Sequence, residues 1–122
     1  MKVSQIKNFK MNDITYKKRR KVIDLIYEAK KEIKDLPRIE VRIGEARKKN
    51  VLGVAMLKDC KIWITDDAIN MGDDALRNVV FHEIVHAVTG FRHDKNCYLM
   101  HPNLPTNPKP EKSLEAFIKY FN

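Results

Sequence analysis

The segment from Gly72 to Gly90 constrains the fold more than any other part of the chain. Leu76, Val80, Ile84, Ala87 and Val88 recur at helical spacing, so a helix here presents a broad apolar face and must be packed inside the molecule. Its ends are marked. Gly72 with Asp73 and Asp74 makes a helix start whose acidic residues favour the N-terminal dipole, and Gly90 supplies the residue that ends it. The remaining face carries His82, Glu83 and His86. Polar and ionisable groups beside a core cost solvation unless they are partnered, so these three need a chemical reason.

Elements to either side read as partners for this helix. Residues 14–36 look like a long amphipathic helix, with Val22, Ile26, Ala29 and Ile33 on one face and Pro37 as the stop. The alternation of Ile39, Val41 and Ile43 in 38–44 is a strand signature, and 51–57 and 61–65 read as two more strands. A basic loop at 45–50 and the turn "KDC" separate them. From 94 to 110 the chain is irregular and holds four of the five prolines; the last element, 111–121, puts Leu114, Phe117, Ile118 and Phe121 on one helical stripe. The order predicts an α+β domain spanning residues 1–122, with the N-terminal helix packed on a small twisted mixed sheet.

Composition bounds the class. With 122 residues, 43% hydrophobic and 33% charged, the chain can bury a modest core, and no apolar run approaches the roughly 20 residues of a membrane helix. The basic start "MKVSQIKNFKM" has no apolar stretch after it, so no secretory signal is expected. Cys60 and Cys97 are too few for a disulfide framework, which favours a reducing, cytoplasmic setting. The net charge of +8 is uneven: residues 1–50 carry 16 Lys/Arg against 7 Asp/Glu, whereas 51–122 carry 8 against 9. A basic half can attract nucleic acid, but a solvated helix face explains the same charges, and the histidines lie in the near-neutral half.

His82 and His86 are four apart on one helix, about 6 Å along the axis, so both imidazoles can reach one tetrahedral Zn²⁺. Glu83 leans off that line, placed to take a proton from a zinc-activated water. This is the H-E-x-x-H pattern, a metalloprotease signature. A catalytic zinc takes a third protein ligand, for which His93, His101, Asp94, Glu111 and Glu115 are candidates.

"HEIVHAVTGFRHD" followed by "CYLMHP" resembles the metzincin clan of zinc endopeptidases, matrixins and archaemetzincins in particular. The resemblance implies a minimal zincin-like domain in which His82, His86 and His93 hold zinc, Glu83 is the general base, Gly90 turns the chain back and Met100 forms the methionine turn. It implies peptide or unfolded-protein substrates. The strand around Gly53, Val54 and Ala55, in a stretch similar to the matrixin G-x-x-A strand, would be the edge along which a substrate adds. Two departures are visible: Gly90 and His93 each lie one residue further from His86 than the pattern has them, and Pro102 stands where a tyrosine is common. The span from His86 to Met100 keeps the matrixin length, so the extra residue is expected to lengthen the helix before its turn.

Alternative readings keep the motif and change the rest. A gluzincin-type site would take Glu111 or Glu115 as its third ligand. "GFRHD" also resembles the three-histidine motif of the bacterial endoribonucleases that mature ribosomal RNA, and the basic half would suit RNA, although that family has no glutamate after its first histidine. A zinc-stabilised binding module would close its site with a fourth ligand and needs no base. His101 as a donor to an oxyanion, Tyr98 near the site and Cys97 as a thiol sealing the zinc are weaker expectations.

Overall fold

The computed structural model describes residues 13–45 and 50–121. The basic start of the chain and most of the basic loop expected at 45–50 lie outside them. Helix α1 (Asp13–Glu32) is followed by strands β1 (Glu40–Gly44), β2 (Gly53–Met56) and β3 (Lys61–Thr65), a short helix α2 (Asp66–Asn70), the histidine helix α3 (Asp73–Thr89) and helix α4 (Pro110–Phe121). Among the described residues the architecture is α+β: four helices and one three-stranded mixed sheet.

The sheet order is β1-β3-β2, with β1 parallel and β2 antiparallel to the central β3. Val41, Ile62 and Ile64 project inward and are buried, whereas Arg42 and Val54 on the opposite face are exposed. β2 and β3 form a hairpin through residues 57–60, where Lys58 and Cys60 take positive φ. The turn is fastened to the end of α3, since the Cys60 N–H donates to the Ala87 carbonyl at 3.1 Å. That carbonyl is one of the last of the helix and has no partner within it.

α3 is the hub of the molecule. It packs against β2, β3, α1, α2 and α4, and eleven of its seventeen residues are buried. Against α4, Phe81 stacks on Phe117 with centroids 4.7 Å apart, and truncating either ring would cost about 3–5 kcal/mol. Buried Asn78 donates to Ser113 Oγ at 3.0 Å in the same seam. Both ends of α3 form as its sequence requires: Gly72 precedes the acidic first turn, and Gly90, at φ 75°, returns its N–H to the His86 carbonyl.

Three expectations are corrected. α1 ends at Glu32, not 36: the Leu36 N–H bonds to Ile33, which tightens the chain into a turn that tucks Leu36 into the core before Pro37. Its closest neighbours are α3 and α2, joined by a two-pronged Arg77–Glu28 pair at 3.2 Å and by Lys18–Asp66 at 3.3 Å, so it lies on the helices more than on the sheet. α2 was not expected at all. Thr65 ends β3 and caps this helix, its hydroxyl accepting from the Ala68 N–H and donating to the Leu52 carbonyl.

Candidate metal centre

His82 and His86 project from one side of α3 with their rings 4.7 Å apart. His82 Nδ1 lies 2.7 Å from the Leu99 carbonyl and His86 Nδ1 lies 2.6 Å from the Phe91 carbonyl. A carbonyl only accepts, so each Nδ1 carries the hydrogen and each Nε2 is left with a bare lone pair. The two Nε2 atoms face each other at 3.1 Å. Two lone pairs at that distance repel unless a cation lies between them, and the separation is close to the roughly 3.4 Å that two ligands of a tetrahedral zinc keep.

His93 completes the group. It comes from the exposed segment after Gly90, its ring 5.1 Å from that of His82 and 4.9 Å from that of His86. The ligand atoms of the three residues lie within 4.8 Å of one another, and among the described residues they are the group of histidine, cysteine and carboxylate side chains able to hold a metal ion. Burial holds the His82 imidazole down at about 4, against the pull of the Leu99 carbonyl and with help from His86 and His93. The same cause lowers His86. Both are therefore neutral near pH 7, the form in which imidazole binds metal.

Glu83 is 6% exposed, and burial alone pushes its carboxyl up to about 8. It lies against the start of the edge strand. A Cβ on Gly53 would come within 2.6 Å of Glu83 Oε2 and 2.8 Å of its Cγ, so only glycine leaves room for this side chain. Both residues open onto a cleft of about 500 Å³ that runs along β2 and past the three histidines. Val54 and Ala55 continue its strand wall, and Val79, Pro102 and Leu104 add apolar surface.

Met100 lies in a turn that acts through its backbone. Met100 is fully buried, its N–H points to Cys97 Sγ at 3.4 Å, and its carbonyl accepts the Asp94 N–H at 2.9 Å, next to His93. One turn thus orients two of the three histidines, His82 through Leu99 and the His93 segment through Met100.

The other candidates fall elsewhere. Glu111 and Glu115 are exposed on α4, Glu115 paired with Lys119 at 3.7 Å. Tyr98 accepts the Lys109 N–H at 2.8 Å, and Cys97 is held inside its turn. His101 is half-buried; it lines the cleft and accepts the Asn103 N–H at 3.0 Å. Two features escaped the sequence reading. The carbonyls of Leu99 and Phe91 carry no residue signature. Asn78 did carry one, a polar residue one helical turn before His82 on the same face, and it lines the cleft. No protein-family model matches the chain, and comparison with curated proteins and with solved structures finds no significant match.

Proposed function

We propose that the chain is a zinc-dependent endopeptidase of minimal, metzincin-like build. One observation carries this: the three imidazoles converge beside a buried glutamate that rests on the terminal strand of the sheet, so ligands, base and a peptide-binding edge share one cleft. His82, His86 and His93 fit zinc in number and in chemistry, being nitrogen donors held neutral, with two of them oriented by carbonyls. Bound zinc supplies a Lewis acid that polarises the scissile carbonyl and makes a water nucleophilic near neutral pH.

The chain's own residues do the rest. Among the described residues β2 has an unpaired side, along which an extended peptide hydrogen-bonds as a further strand with its side chains alternating into and out of the cleft. The Glu83 carboxylate takes a proton from the attacking water and returns it to the leaving amine nitrogen. Burial raises its basicity, which suits a group that must accept and then release a proton near neutral pH.

A phosphodiester substrate fits this cleft less well. Among the described lining residues none is a lysine or arginine to pair with a phosphate. The test is digestion of unfolded casein by zinc-loaded protein beside a Glu83→Gln variant. Cleavage by the wild type and none by the variant, with zinc content equal in the two, is expected. Equal cleavage by both would remove Glu83 from the mechanism; degradation of structured RNA with casein left intact would replace the reading.

A further inference from the structure

α1 buries one face and leaves another without a partner. Val22, Leu25, Ile26 and Ala29 are packed into the core. On the outward side stand Tyr16, 60% exposed, and Tyr27, 57% exposed, among the most exposed large side chains of the molecule. At 100° per residue, Tyr16, Arg20, Tyr27 and Lys31 fall within an arc of about 60°, a stripe rising about 22 Å along the helix. Arg19 and Lys30 flank it on one side, and Lys17 lies on the other.

The charges on this stripe are available. Lys17, Arg19, Lys30 and Lys31 pair with no described carboxylate. Arg20 meets Asp24 at 3.1 Å, but both side chains are more than half exposed, and a pair of that kind is weak and salt-screened. The carboxylate that could have neutralised the helix from within, Glu28, is turned inward to Arg77.

We propose that this stripe binds single-stranded nucleic acid, the tyrosine rings stacking on unpaired bases while Arg20, Lys31 and their neighbours hold the phosphates. Two rings interleaved with cations match what single strands offer, flat bases alternating with anionic links, and stacking on tyrosine does not depend on sequence. An anionic lipid surface fits worse. Insertion needs an apolar face, and that of α1 is already buried in the core. No residue of α1 is among those described as lining the metal cleft, so the stripe is a separate site and would act as a tether.

Fluorescence anisotropy of labelled oligo(dT) and oligo(rU), titrated with the zinc-loaded protein at low salt, tests this. Affinity is expected to fall with salt by about 0.7 in log–log slope per phosphate contacted. Replacing Tyr16 and Tyr27 together by alanine should weaken binding at least tenfold, with the salt slope unchanged. Arg20→Gln with Lys31→Gln should weaken binding and lower the slope by about 1.4. Both pairs are exposed on the outer face of α1, so zinc content and any casein cleavage should match the wild type. The proposal fails if no binding is seen at low salt, or if the tyrosine pair changes nothing. It also fails if vesicles containing phosphatidylserine are bound more tightly than either oligonucleotide.

Discussion

His82 and His86 belong to a helix packed on all sides, whereas His93 belongs to an exposed segment held only where it starts and ends. The first two have their distance set by helical geometry and their ring planes set by carbonyls; at 3.1 Å their nitrogens are spaced as a pair of ligands would be. The third has its position set by Gly90 in the left-handed conformation and by Asp94 bonded to Met100. A centre built this way has a fixed half and an adjustable half. The fixed half carries the proposed base, because Glu83 comes from the same helix. The adjustable half spans the six residues between His86 and His93.

Removing ligands tests this asymmetry most severely. His86→Ala should lower zinc affinity by a thousandfold or so, an uneven share of the total binding energy. His93→Ala should cost less, on the order of a hundredfold, because water can replace a ligand at the open side of the site. Competition with a coloured chelator measures both. Equal losses would mean that His93 is held as firmly as the helical pair.

A smaller effect concerns the base. Gly53→Ala places a methyl group 2.6 Å from the present position of Glu83 Oε2, so the carboxylate must move. A displacement near 1 Å is expected to lower peptide hydrolysis about a hundredfold while zinc affinity stays within a few-fold of wild type. If both fall together, the strand supports the whole centre and not only its base.

The smallest test is thermal unfolding of the metal-free protein against pH. Glu83 has its folded value raised to about 8 from 4.5, so between those values the folded state holds a proton that the unfolded chain has lost, and stability falls as pH rises. His82, lowered from 6.5 to about 4, has the opposite sign: it destabilises the fold as pH falls through that window. His86, also lowered, acts in the same direction as His82. Both oppose Glu83 mainly below 6.5, and above it the Glu83 contribution dominates. From pH 6.5 to 8 the wild type should lose about 1 kcal/mol, seen as a drop in Tm of a few degrees, and Glu83→Gln should show no loss. A flat wild-type profile would mean that Glu83 is better solvated than its burial implies.

The sequence made the fixed half legible and left the adjustable half open. α3 could be read because three signals agree on it: apolar period, acidic start and terminal glycine. β3 begins and ends where its alternation does, and the glycine turn leading to His93 was read as well. α2 was hidden in a five-residue span, too short for a period, where only the Thr65 cap with two aspartates signalled a helix. The parallel pairing of β1 with β3 has no local code, since it depends on what fills the space across the sheet. The choice of His93 over Glu111 and Glu115 is likewise a matter of which segment returns to α3 in space.

The imidazoles of His82 and His86 are aimed by main-chain oxygens, so no single side-chain replacement deletes an orienting group. Substitutions at Leu99 or Phe91 that preserve the local path keep the carbonyl where it is. What selection must hold constant is then a trajectory of the chain, not the identity of the residues along it. Such a centre can diverge widely in the sequence around its histidines while keeping the same chemistry.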